Sequence, residues 1–230
     1  MSAAATTIVD SRIARLYRST VGKKAIMAVT GLVLVGFVFG HMAGNLQFFL
    51  GPEVLNQYGR KLRELGPLLW VVRLALFGTV SLHITAAFQL WMLNRAARPE
   101  RYASLTATTS TYASRTMVYS GPILLAFVIY HLMHLTIGNA HPAFDHELNV
   151  YANVVRGFQQ PLVAGFYLVA MALLCLHLYH GIWSMFQSLG LSHPKYTPKI
   201  KRLAAAVSLL LLAGFSSVPL AVLAWFHQSV

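Results

Sequence analysis

Charge is scarce in this chain. Only 10% of its 230 residues are charged, against about a quarter in a soluble domain. So little charge cannot keep a 57% hydrophobic chain in water, and composition alone assigns it to a membrane. Acidic residues are scarcer still: 6 Asp and Glu stand against 18 Lys and Arg, for a formal net charge of +12. In a nucleic-acid binder such an excess gathers on one polar face. Here the cations sit in short gaps between apolar runs, so the charge serves topology and partner docking. The one cysteine, Cys175, lies inside an apolar run, which excludes a disulfide framework and a cysteine-built zinc or iron–sulfur centre within the chain. All six acids (Asp10, Glu53, Glu64, Glu100, Asp145 and Glu147) fall between the runs, leaving no buried carboxylate to relay protons. There is no nucleotide loop, dinucleotide glycine pattern or nucleophile constellation. Substrate chemistry carried by this chain alone is therefore not expected.

Five apolar stretches are present, near 24–49, 68–93, 117–139, 161–189 and 202–226. Each supplies the roughly 20 helical residues that cross a bilayer core. In lipid only helices or closed barrels satisfy the backbone, and these lengths select helices. The fold class is therefore an all-α membrane protein, a bundle of five transmembrane helices forming one domain over 1–230. Residues 1–22 read as a polar, amphipathic lead-in without the short apolar region and cleavage site of a removable signal, so the first span stays in the membrane. The gap at 94–116 is rich in Ser, Thr, Ala and Arg, and the gap at 140–160 reads as an ordinary solvated loop.

Basic residues set the orientation. Thirteen fall on one side: Arg12, Arg15, Arg18, Lys23 and Lys24, then Arg95, Arg98, Arg101 and Arg115, then Lys195, Lys199, Lys201 and Arg202. Five fall on the other: Arg60, Lys61, Arg63, Arg73 and Arg156. The positive-inside rule predicts a cytoplasmic N-terminus, a C-terminus outside, and a multi-pass place in the cell membrane.

Four of the spans carry a deep histidine: His41, His83, His131 and His177. An ionisable side chain in hydrocarbon is costly and marks function. With alternating helix direction, His41 and His131 share the outer half, and His83 and His177 the inner half. Each level thus takes one histidine from each of two helices, the arrangement by which a bundle grips a haem. A lone histidine in a span is more often satisfied by an interhelical hydrogen bond, and a transporter or zinc site would gather its ligands at one depth. Four histidines in a two-by-two array favour two stacked haems with axial imidazoles on iron. His134 and His180 follow His131 and His177 by three residues on a similar face, so spacing leaves either of each couple open as ligand, with the other on a propionate, quinone or water. His141, His146, His193 and His227 read as solvated. Gly36, Gly40 and Gly44 form a stripe beside His41 that suits close helix packing or a flat cofactor.

The order of local motifs adds a resemblance. Ser19-Thr-Val-Gly-Lys-Lys24 leads into Met27-Ala-Val-Thr-Gly31, followed by His41-Met-Ala-Gly-Asn45 and Leu55-Asn-Gln-Tyr58. Then come Gly66-Pro-Leu-Leu-Trp70 with Arg73, and Leu82-His-Ile84. Last are Leu176-His-Leu-Tyr-His-Gly-Ile-Trp-Ser184, Phe186-Gln-Ser-Leu-Gly190 and His193-Pro-Lys195. Over nearly its whole length the chain resembles the single-subunit, five-helix, di-haem cytochrome b anchor of succinate dehydrogenase and fumarate reductase (succinate:quinone oxidoreductase). The resemblance implies two haems b on His41, His83, His131 and His177. It also implies a flavoprotein with covalent FAD and an iron–sulfur subunit on the cytoplasmic face, and electrons passing through the clusters to a quinone, menaquinone or ubiquinone, near the inner haem. Ser19, Lys24, Arg95, Arg115 and Tyr119 are inner-edge candidates for propionate or quinone contacts by position. Some fumarate reductase relatives carry a glutamate two residues before the fourth-helix ligand; here that position is Cys175, which argues against transmembrane proton compensation. The competing expectations are a di-haem anchor of a hydrogenase or formate dehydrogenase, and a haem-free anchor or transporter.

Overall fold

A computed structural model of the chain describes residues 14–15, 17–97, 112–141, 143–147 and 149–226. Arg12, Arg98, Arg101, Asp10, Glu100 and His227 lie outside the described residues. Those described form seven α-helices and no strand. They are α1 (Thr20–Asn45), α2 (Pro52–Glu64), α3 (Pro67–Ala96), α4 (Tyr112–Leu132), α5 (Val150–Phe158), α6 (Pro161–Ser188) and α7 (Thr197–Phe226). A 3-10 turn, Leu46–Leu50, prolongs α1, and a π turn, Met133–Ile137, prolongs α4. Five helices are long and apolar enough to cross a membrane, as Thr20–Leu50, Pro67–Ala96, Tyr112–Ile137, Pro161–Ser188 and Thr197–Trp225.

Local chemistry explains the boundaries. Ser19 caps α1 by accepting from the Gly22 amide at 2.9 Å. Pro52, Pro67 and Pro161 open α2, α3 and α6, where the missing N–H is not needed. The residues before the first two are Gly51 and Gly66, with φ of 98° and 53°, a backbone that side chains resist. These two glycines turn the chain out of α1 into α2 and then into α3.

Side-chain pairings show neighbouring spans running antiparallel. Thr30 meets His83 while Tyr17 meets Gln89, and Ser120 meets His177 while Tyr167 meets His131. One end of the bundle collects Ser19, Lys24, Arg95, Arg115 and the Lys195–Arg202 cations; this is the basic end. The opposite end is roofed by the two short helices. There Asn56 of α2 donates to the Asn149 side chain and accepts from the Tyr151 amide, and Tyr151 stacks on Phe48 with ring centres 4.7 Å apart.

Helix α7 packs along α6 and touches α1, through contacts such as Leu211, Val222 and the fully buried Ala204. Small residues at such crossings let backbones approach where no water drives association. Helix α3 differs. Among the described residues it packs on α1 and not along α4, and it turns Leu74 (64% exposed) and Phe77 (72%) outward, as a lipid-facing helix does.

One expectation fails. The 140–160 gap is not an ordinary solvated loop, because Val150–Phe158 forms α5, and Phe158 and Asn153 are buried. Tyr151, Val154, Val155 and Phe158 all join the apolar core, at the spacing of one helix face. His141 is buried with them rather than solvated: its Nε2–H donates to the Asn153 carbonyl at 2.9 Å and its Nδ1 accepts from the Ala143 amide at 3.1 Å.

Candidate functional site

The four deep histidines form two facing pairs at different levels. His41 of α1 and His131 of α4 have ring centres 5.7 Å apart. His83 of α3 and His177 of α6 have ring centres 6.5 Å apart. A metal–imidazole bond is about 2 Å long, so two rings holding one ion from opposite sides have centres about 6 Å apart. Both pairs match that separation. Each also draws its histidines from two different spans, so tertiary packing and not local spacing brings them together.

Nδ1 contacts orient the rings. Thr30 Oγ1 donates to the Ile26 carbonyl at 2.7 Å, so toward His83 Nδ1, 3.0 Å away, it acts as acceptor. The proton then sits on Nδ1 and leaves Nε2 with a free lone pair, the form that binds a metal. Ser120 Oγ lies 3.4 Å from His177 Nδ1, the corresponding contact across the pair. At the roofed end Tyr167 Oη lies 3.3 Å from His131 Nδ1 and 3.0 Å from His134 Nδ1. A phenol can accept from one ring and donate to the other. Accepting from His131 frees its Nε2 and puts the His134 proton on Nε2. His41 is held between rings: Phe37 stacks on it at 5.5 Å and Phe215 lies tilted against it at 5.9 Å.

Room for a flat cofactor exists at glycines. A methyl built on Gly36, Gly40 or Gly181 would meet nothing within 4 Å. Gly181 is four residues from His177, on the same face. The glycine stripe of α1 is divided: Gly44, unlike its two predecessors, receives the Tyr58 side chain, whose hydroxyl would lie 2.6 Å from an added Cβ.

His134 lies apart from the His41–His131 pair. It is fully buried, stacked on Tyr130 at 5.5 Å and on His141 at 4.9 Å, and its Nε2 has no hydrogen-bond partner. The π turn beginning at Met133 carries it into the roof. Gly157 faces it so closely that an added Cβ would lie 2.7 Å from His134 Cε1 and 3.1 Å from His141 Nε2. Gly157→Ala is therefore expected to lower stability by about 1–3 kcal/mol, read as a lower Tm in detergent. Gly165→Ala, whose Cβ meets nothing within 4 Å, does not lower Tm. His180 packs edge-on against Trp183 with ring centres 5.6 Å apart, and its Nδ1 is buried without a partner.

The remaining candidates do not assemble into one site. Ser19 serves as the cap of α1. Lys24, Arg115 and Tyr119 are exposed, Tyr119 by 70%, and Arg95 lies over the Trp91 ring at 5.6 Å. No hydrogen bond among the described residues links these four to His83 or His177.

Compared with protein-family models, with curated proteins and with solved structures, the chain matches none. What the site can do therefore rests on its own geometry. Sequence reasoning did not single out Thr30, Ser120 or Tyr167, although each is a hydroxyl in a span at the depth of a histidine on the facing helix. Lys23 is more than one of the cations of the basic end. It is buried and donates from Nζ to the Tyr17 and Arg18 carbonyls at 3.0 and 3.1 Å, which tethers the lead-in to α1.

Proposed function

We propose that this chain is the di-haem cytochrome b membrane anchor of a succinate dehydrogenase, passing electrons between an iron–sulfur subunit and membrane quinone. The observation that carries the haem part is the pair of facing imidazoles at each of two levels, 5.7 and 6.5 Å between ring centres. The succinate dehydrogenase part rests on the motif order given above. When bound, each haem b supplies an iron that takes up and gives back a single electron. His41 with His131 would hold one haem and His83 with His177 the other, and groups so held would supply one-electron transfer rather than substrate chemistry. Thr30, Ser120 and Tyr167 fix the ring orientation and, by accepting from Nδ1, raise the basicity of the coordinating nitrogen.

In this reading the basic end faces the cytoplasm, where its cations dock the flavoprotein and iron–sulfur subunits and favour haem propionates. The His83–His177 pair lies nearer that end, so a haem held there would be the nearer of the two to the clusters or the quinone. A pyridine haemochrome assay on the protein purified with its native partners tests the proposal. Two haems b per chain, with a covalent-FAD subunit in the preparation, are expected. No haem would overturn the electron path. Haem with a hydrogenase or formate dehydrogenase partner would keep the path and replace the enzyme.

A further inference from the structure

We infer that the cavity between the end of α2, the start of α3 and the π turn of α4 binds the acidic head of a membrane-embedded amphiphile. The cavity has a volume of about 350 Å³ and is lined by Arg63, Gly66, Leu69, Trp70, Arg73 and Thr136. Two arginines thus line one small space, together with Thr136 of the π turn. Neither arginine has an ion-pair or hydrogen-bond partner among the described residues; Arg73 instead lies 5.1 Å over the Trp70 ring.

Depth makes that lack of a partner informative. Arg73 stands six residues into α3, about 9 Å along the axis, and so lies within the apolar span. A cation held there without a counter-charge is costly. The six acids of the chain fall outside the spans, so the counter-charge has to come from another molecule. That molecule reaches membrane depth itself, because the walls beside the arginines are Leu69 and Trp70, and Leu68 next to them is 56% exposed. A soluble anion has no apolar part to occupy such walls. An amphiphile places an oxyanion between the two guanidiniums, whose planar forks match phosphate and carboxylate, and lays its apolar body against Leu69 and Trp70. The volume suits a head group and not a whole cofactor, being at the lower end of ligand pockets.

The oxyanion has two possible sources with one chemistry: the phosphodiester of a lipid, or a propionate of a haem held by His41 and His131. Only the second rests on the function proposed above. Wild-type protein, complete with its partners, is compared with Arg63→Gln, Arg73→Gln and the double variant. Each is exposed to mixed phosphatidylglycerol–phosphatidylcholine micelles and read by native mass spectrometry and by redox titration of any haem. If the source is lipid, the wild type retains a phosphatidylglycerol that the double variant loses at least tenfold, and the haem midpoints do not move. If the source is a propionate, lipid retention is unchanged and one midpoint alone falls, because a positive charge that favoured the reduced form has gone. Equal lipid retention and equal midpoints in wild type and variants overturn the inference. Arg63→Gln alone, at the exposed end of α2, keeps the test valid if changes at Arg73 impair folding. A chain without haem sinks the cytochrome proposal, yet the lipid comparison still decides this one.

Discussion

On the function proposed above, replacing His83 or His177 by alanine is expected to cut the haem content from two per chain to one, with the same haem lost in both variants. Replacing His41 or His131 removes the other. The expectation follows from the geometry of two separate pairs, since neither level shares a ligand with the other. The His83–His177 pair joins α3 to α6, and the His41–His131 pair joins α1 to α4. Helix α3 is held chiefly by its packing on α1 and, among the described residues, does not pack along α4. Loss of the His83 haem is therefore also expected to loosen α3, read as faster proteolysis or faster amide exchange in 67–96. His134→Ala spares both haems, because His134 is enclosed by Tyr130, His141 and Tyr167 and not by the other member of a pair. Its effect falls on stability instead. The pairing is wrong if His134→Ala loses a haem while His131→Ala keeps both.

Much of this was legible in the sequence, and the parts that were not share a physical reason. The five spans are long apolar runs, and hydrocarbon thickness sets their length, so structure and sequence agree to within a few residues. The depth pairing of the histidines was also legible, because alternating direction and residue number fix depth without knowledge of packing. The roof was not. Helix α5 has nine residues, too short to register as a span, and its Asp145–Glu147 approach looks solvated. The helical spacing of Tyr151, Val154, Val155 and Phe158 was the signal present in that gap. His141 looked exposed for the same reason; the carbonyl that accepts from it belongs to Asn153, twelve residues on. His131 and His134 were inseparable by spacing, since three residues on an ideal helix leave them on one side. The π turn that separates them has no marker in the residues Met133–Ile137.

The hydroxyl partners went unread because a Thr or Ser in a membrane helix ordinarily bonds its own preceding turn, as Thr30 does to Ile26. That very bond decides what Thr30 does for His83. Its one proton is spent on the carbonyl, so its remaining role is to accept the Nδ1–H. Thr30→Val, close in shape but without a lone pair, is expected to weaken binding of the inner haem by about 10–100-fold and to raise its midpoint potential, since a less basic imidazole stabilises the oxidised iron less. Thr30→Ser retains both properties. Tyr167→Phe does the same to the outer haem through His131. It also strips His134 Nδ1 of its hydroxyl partner, a buried group whose loss of pairing costs about 1–3 kcal/mol. The two variants therefore differ in which potential they shift, and both lower Tm, Tyr167→Phe by more because its hydroxyl serves two rings. Redox titration with haem quantification separates them. If Thr30→Val moves the haem that His131→Ala removes, the hydroxyls do not act through the imidazoles they touch, and the assignment of levels fails.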